Sequence, residues 1–341
     1  MNPVKANQAT INPREVLARD GCAGLARLLA GTGYMVQERV LSDMGQAMKA
    51  GMPHLIEGER GAGKTALAEA LAQACNLPVF YLQGMEGLGL EDVLYSWDRD
   101  GQSEFIKQAL LSGMPLDEAR AKQWSREYLI LGEALGAYDF ASREQMVPIL
   151  IVDEIDKLTE KVEDMLLQLF GRGIAHVPRF GDVGVQDSSR WPIVVLLSND
   201  IRHDLSAPMR SRCIYTWIDL PSPRESVAIL CSRVPEASQE MVTCVAKLLD
   251  CVRDIPGVAD KPALREAISL LNAFTRDGIV AVDEAVLIEY LCHIAKRAAD
   301  RKYLAQSLAR VEDAVNSPHG EIETWVEEEF ATRRRQNLRA A

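Results

Sequence analysis

Lys64 and Thr65 close the run Gly58-Glu59-Arg60-Gly61-Ala62-Gly63-Lys64-Thr65, which fits the pattern G-x-x-x-x-G-K-[ST]. Glycines let such a loop curl until its backbone N–H groups converge on an anion. A helix starting there adds partial positive charge at the same place. The candidate phosphate-binding residues are Gly58, Gly61, Ala62, Gly63, Lys64, Thr65 and Ala66. The Lys64 ammonium would reach the β- and γ-phosphates of a bound triphosphate, and the Thr65 hydroxyl would ligate Mg²⁺. The competing reading is a glycine-rich turn capping an ordinary helix. The flanks weigh against it: Pro53-His54-Leu55-Ile56-Glu57 reads as a short buried strand, and Thr65-Ala66-Leu67-Ala68-Glu69-Ala70-Leu71-Ala72 as a helix.

A second chemical constellation lies at Pro148-Ile149-Leu150-Ile151-Val152-Asp153-Glu154. Consecutive aliphatics ending in two acids describe a central parallel strand whose C-terminal end opens onto a ligand. Asp153 would hold the Mg²⁺, and Glu154 would polarise an attacking water as general base. A solvated acidic turn is the bland alternative, weakened by the phosphate loop upstream. Ile193-Val194-Val195-Leu196-Leu197-Ser198-Asn199 ends a further aliphatic run in an amide. Asn199 there would hold the water or the terminal phosphate, or simply begin a turn. Arg210 and Arg212, in Leu205-Ser206-Ala207-Pro208-Met209-Arg210-Ser211-Arg212-Cys213, are spaced to point one inward and one outward, against the plainer reading of a surface pair.

The elements that must carry these groups alternate strand and helix. Apolar residues between 34 and 49 recur at helical spacing and stop at Gly51-Met52-Pro53. Pro78-Val79-Phe80-Tyr81-Leu82 and Ile214-Tyr215-Thr216-Trp217-Ile218 read as strands. With residues 53–57, 148–154 and 193–199 they predict an α/β fold, a three-layer core on a parallel five-stranded sheet. The stretch 84–146 is too long for a simple connection and reads as an insertion with its own helices. Residues 173–187 read as a β-hairpin confined by Pro178 to an edge or a ribbon. Pro221-Ser222-Pro223 marks a boundary beyond which everything is helical. The expected organisation is an N-terminal arm at 1–33, the α/β core at 34–220, an all-helical lid domain at 221–310, and a C-terminal helix and tail at 311–341. A solvated charged helix accounts for the Glu327-Glu328-Glu329 and Arg333-Arg334-Arg335 runs, with a basic docking tail as the sharper reading.

Composition narrows the partners. The net charge of −11 opposes a general nucleic-acid binder. No run of about 18 apolar residues exists, so no membrane span is expected. Seven scattered cysteines, never spaced C-x-x-C, and a start without an apolar leader core read as a reducing, cytoplasmic setting. The five histidines form no metal-ligand pair.

The order of these motifs resembles the AAA+ ATPases, and within them the MoxR-like branch, including its CoxD-type members. Three stretches carry the resemblance. They are Tyr81-Leu82-Gln83-Gly84-Met85-Glu86-Gly87-Leu88, Leu150-Ile151-Val152-Asp153-Glu154-Ile155-Asp156-Lys157, and the run from Leu196 through Arg212 to Trp217-Ile218-Asp219-Leu220-Pro221-Ser222-Pro223. The resemblance covers residues 34–310; the stretch 102–146 is longer than in compact members. It implies Lys64 and Thr65 as the Walker A pair, Asp153 and Glu154 as the Walker B pair, and Asn199 as first sensor. It further implies Arg212, favoured over Arg210, as the arginine finger acting on a neighbouring subunit. Arg265 would be the second sensor, Tyr34 would lie near the adenine, and the hairpin around Phe180 would be the pre-sensor hairpin. The activity implied is hydrolysis of ATP with Mg²⁺ in a homo-oligomer, most simply a hexameric ring. That ring would act as a chaperone on a protein client with a von Willebrand A domain, in complex assembly or metal-centre maturation. A nucleic-acid motor or clamp-loader-like ATPase, to which the triplet Ser211-Arg212-Cys213 is similar, and a nucleotide-gated scaffold are the alternatives.

Overall fold

A computed structural model describes residues 9–199, 205–317 and 320–340, with side chains to residue 335. The chain divides into two compact units. The first comprises the N-terminal segment up to Thr32 with residues 36–58 and 64–218; the second comprises residues 33–35, 59–63 and the chain from Asp219 onward.

The strands in chain order are β1 His54–Gly58, β2 Val79–Gln83, β3 Tyr95–Trp97, β4 Leu129–Leu131, β5 Ile149–Asp153, β6 Ile174–Val177, β7 Gly181–Gly184, β8 Ile193–Ser198 and β9 Ile214–Ile218. Five of them form one sheet in the order β2-β5-β8-β1-β9, every pairing parallel. Ile149, Leu150, Ile151 and Val152 on β5 are buried without alternation, because helices cover both faces of such a sheet. β2 lies at an edge, and Val79 and Tyr81 there are exposed. Register lines up the carboxyl ends: Gln83 pairs with Asp153, Glu57 with Ser198, and Gly58 with Ile218. The first unit is therefore the α/β P-loop core expected from the sequence.

Parallel neighbours need crossover connections. Helix Lys64–Cys75 makes the first, burying Leu67, Ala68, Leu71 and Cys75. It ends where Asn76 turns into the left-handed region, φ 50°, just ahead of Pro78. Helix Glu133–Glu144 makes the next. Its Ala134, Leu135, Ala137, Tyr138 and Ala141 are buried, and it packs on β2, β5 and β7. The stretch 84–146 is thus not one insertion, since its last helix is part of the core. What remains is a module of helices Arg99–Leu111 and Leu116–Lys122 closed by the antiparallel pair β3–β4. The β6–β7 hairpin is antiparallel, with Val177 opposite Gly181. It joins that module through rings: Trp97 meets Trp124 edge-on at 5.0 Å and Phe180 at 6.4 Å, and the Arg179 guanidinium lies 4.5 Å over Trp124.

The segment expected to be an arm contains helix Pro13–Ala30, capped by Asn12 and kinked at Gly21. It packs on helices Glu38–Ala50 and Lys64–Cys75 through buried Val16, Leu17, Leu25 and Leu29. Arg14 donates to the carbonyls of Trp191 (2.7 Å), Ser189 and Pro192.

The second unit is helical. Helix Pro223–Arg233 begins with a reciprocal capping box between Ser222 and Glu225. Helices Gln239–Arg253, Leu264–Asp277, Glu284–Ile294, Ala298–Gln306 and Leu308–Asn316 follow. The last helix, Gly320–Ala340, packs on the first two through buried Ile322 and Val326. Arg224 pairs with Glu328 at 3.0 Å, and Arg333 donates to the Cys231 carbonyl. Residues 311–317 and 320–335 therefore contribute to the helical unit's core as well as its surface. Among the described residues no helix is long and apolar enough to cross a membrane.

Candidate functional site

The first unit gathers Lys64, Thr65, Asp153 and Glu154 at the carboxyl ends of β1 and β5. Lys64 opens its helix and is buried, and its Nζ donates to the Gly58 carbonyl at 2.8 Å. The Thr65 hydroxyl donates to Asp153 Oδ2 at 3.2 Å. Two residues 88 positions apart thus share a hydrogen bond because their strand ends lie in one row. The oxygen set suits Mg²⁺, which takes hydroxyl, carboxylate and phosphate oxygens. No cluster of three or more acids, histidines or cysteines that would cage a metal by itself exists among the described residues. A cation here would accordingly share its coordination with substrate phosphates.

Glu154 follows β5 in the left-handed region, φ 53°, an uncommon conformation for a non-glycine residue. Its Oε2 accepts from Gln83 Nε2 at 2.6 Å and Lys157 Nζ at 2.5 Å. The turn is closed by its own N–H donating to Asp153 Oδ1 at 2.8 Å. Asp153 Oδ2 receives a second donor, the Tyr81 hydroxyl, at 2.6 Å. Burial first, then the bond to Asp153, raises the Tyr81 phenol above its usual range. Gly84 is required beside this pair: a Cβ on it would lie 2.1 Å from the Glu154 carbonyl oxygen, while its N–H donates to the Asp153 carbonyl at 2.7 Å. Tyr81, Gln83 and Lys157 lie in stretches that carry the family resemblance, but their types and spacing assign them no chemistry. The only available signal was parity, since Tyr81 and Gln83 alternate on one face of a strand.

Asn199 follows β8, and its backbone N–H faces the buried carboxylate of Asp156 at 3.4 Å. Asp200 and the residues to 204 lie outside the described residues. The two arginines separate. Arg210 pairs with Glu57 at 3.3 Å, and Glu57 is only 2% exposed at the end of β1. Arg212 is exposed, and among the described residues its side chain donates to the nearby Pro208 carbonyl at 3.1 Å. Arg210 lies in helix Ala207–Ser211 and Arg212 just past its end; the helix is capped by the Ser206 hydroxyl, and the Ser206 N–H donates to buried Glu163 at 3.1 Å.

The second unit holds Tyr34, Gly61, Ala62, Gly63 and Arg265, while Gly58 and Ala66 belong to the first. Gly61 (φ 82°) and Gly63 (φ 94°) take the left-handed backbone the loop needs. A Cβ on Gly61 would strike that of Ala263 at 2.3 Å, so the loop passes tightly over the start of helix Leu264–Asp277. Arg265 is exposed on the first turn of that helix. The Tyr34 hydroxyl donates to the Gly63 carbonyl at 3.3 Å. Burial, reinforced by Glu225 and opposed by Arg233, pushes its phenol up to about 12. Ala62 is buried and Ala66 half-buried.

A comparison with curated proteins finds no match. Residues 53–213, a little under half of the chain, match the family model described as AAA domain (dynein-related subfamily). The match begins one residue before β1 and ends one residue after Arg212, so it spans the whole row of strand-end residues except β9. With the parallel sheet, the loop and the acid pair, it supports an AAA+ ATPase domain over that stretch of the chain.

Proposed function

We propose that the protein is an oligomeric AAA+ ATPase of the MoxR-like type that hydrolyses ATP to remodel or activate a protein partner. The observation that carries this reading is the hydrogen bond from Thr65 to Asp153 beside Glu154, with Lys64 at the base of the same loop. In this reading Lys64 leaves the Gly58 carbonyl for the β- and γ-phosphates. Thr65 and Asp153 hold Mg²⁺, which when bound neutralises charge on those phosphates. Glu154 orients and deprotonates water once its oxygen is released by Lys157 and Gln83. Asn199 serves as first sensor and Arg265 as second; Tyr34 borders the nucleotide.

The arginine finger is assigned to Arg212. Arg210 is held by a buried carboxylate of its own subunit, whereas Arg212 stands exposed and, among the described residues, donates to a local carbonyl. A finger reaching a neighbour makes each site incomplete without a second copy, and a closed ring, most simply a hexamer, completes all of them. The client is proposed, from the resemblance to the MoxR-like branch, to carry a von Willebrand A domain.

Turnover tests the scheme. Activity per chain should rise with protein concentration, and Lys64→Ala and Glu154→Gln should each abolish it. Mixing inactive Arg212→Ala with inactive Glu154→Gln should restore part of it, because one variant supplies an intact base and the other an intact finger. Mixtures that stay inactive while each variant still forms rings would sink the shared site. An Asp153→Asn or Lys64→Ala protein with wild-type turnover would sink the assignment of the loop and acids.

A further inference from the structure

Oδ2 of Asp153 is fully engaged. A carboxylate oxygen offers about two acceptor directions. On Asp153, Oδ1 takes the Glu154 N–H at 2.8 Å, and Oδ2 takes both the Thr65 hydroxyl at 3.2 Å and the Tyr81 hydroxyl at 2.6 Å. A hydrated Mg²⁺ on Thr65 would present Asp153 with water O–H donors, and the shortest bond to Oδ2 already comes from an O–H donor of that kind. The Tyr81 hydroxyl also lies within reach of a second acceptor, Gln83 Oε1 at 3.3 Å. Gln83 in turn donates through Nε2 to Glu154 Oε2 at 2.6 Å. Tyr81 and Gln83 are two residues apart on edge strand β2, so both side chains emerge on the same face. The result is a row of side chains, Asp153–Tyr81–Gln83–Glu154, between the metal-binding acid and the base, in which the single Tyr81 proton serves Asp153 Oδ2 or Gln83 Oε1.

Resting on the ATPase reading above, we propose that Tyr81 is a positioning residue that competes with metal-bound water for Asp153. Displaced from Asp153, the Tyr81 hydroxyl would turn to Gln83 Oε1, which is bonded to Glu154 through its amide N–H. The direction of the transfer follows from the bonds. When the Tyr81 hydroxyl turns to Gln83 Oε1, it polarises that amide, and the Gln83 N–H bond to Glu154 strengthens with it. No proton leaves the phenol in this exchange; one acceptor replaces another.

Titrating Mg²⁺ against binding of a fluorescent, non-hydrolysable ATP analogue to the full-length protein tests this without relying on turnover. Tyr81→Phe removes the competitor while keeping the ring, so the half-saturating Mg²⁺ should fall about tenfold. Binding of the analogue in EDTA should match that of the wild type, which a merely structural role for Tyr81 would not allow. Turnover at saturating Mg²⁺ should then respond in kcat more than in KM, as should that of Gln83→Leu, which cuts the same row at the next residue. An unchanged or raised Mg²⁺ requirement in Tyr81→Phe overturns the proposal. Asp153→Asn separates the two levels. If it removes the Mg²⁺ dependence while Tyr81→Phe leaves it untouched, only the role of Tyr81 fails. If Asp153→Asn also leaves it untouched, the ATPase reading of the acid pair fails with it.

Discussion

Replacing Arg210 by methionine should destabilise the first unit far more than its surface position suggests. Glu57 is 2% exposed, at the carboxyl end of β1, and the Arg210 guanidinium is its ion-pair partner at 3.3 Å. Taking the cation away leaves a carboxylate in a site shielded from water. Breaking a buried pair by removing one partner costs about 3–5 kcal/mol. Arg210 itself is 35% exposed, so water weakens the pair and about 2–3 kcal/mol is the better expectation. For a unit of this size each kcal/mol shifts the melting midpoint by about 2–4 °C, which gives a drop of roughly 5–10 °C. Differential scanning fluorimetry on Arg210→Met, Glu57→Gln and the double variant measures it. The double variant should regain part of the loss, because the uncompensated charge is gone. Arg212→Ala, by contrast, should melt with the wild type and lose only ring-dependent turnover. An Arg210→Met protein melting within about a degree of wild type would refute the argument that this arginine is committed to Glu57. It would also reopen the choice of finger.

Three further outcomes follow from other parts of the first unit. Lys64→Ala should lower affinity for a fluorescent ATP analogue by at least about tenfold, the loss of one charge-assisted contact to phosphate, with little change in melting point. Gly84→Ala should abolish turnover and lower the melting point, since its Cβ would lie 2.1 Å from the Glu154 carbonyl oxygen and both partners are backbone; a fully active variant would show that the end of β2 yields freely. Burial, only partly offset by Asp43, pushes the His54 imidazole down to about 4, below its usual 6.5. The unfolded chain therefore binds the proton first. Stability is fully present above about pH 6.5 and falls as pH drops towards 4, by at most about 1.4 kcal/mol per unit. His54→Gln should flatten that slope in denaturant titrations at pH 7, 6 and 5, and an unchanged slope would place the acid sensitivity elsewhere.

Local backbone chemistry made much of the chain legible before any fold was known. The loop with Gly61, Gly63, Lys64 and Thr65 is contiguous, so its conformation and charge are written in eight residues. The sheet strands were legible because strands buried on both faces must be aliphatic throughout, as Ile149 to Val152 are. The helical character after Pro221-Ser222-Pro223 was equally plain. Helix Glu133–Glu144 was not. Its alanine-rich pattern suits an insertion as well as a core crossover, and only packing on β2 and β5 distinguishes them.

What tertiary structure alone decided are pairings between residues distant in sequence. Arg210 and Arg212 are interchangeable by type and spacing; the buried Glu57, 153 positions from Arg210, tells them apart. Tyr81 and Gln83 are ordinary strand residues until register sets Gln83 beside Asp153 and brings the Tyr81 hydroxyl to 2.6 Å from that carboxylate. A motif records the few residues whose neighbours along the chain impose their geometry. Partners that meet across strands depend on sheet order and register, which are settled by the burial of the whole core and leave no local mark.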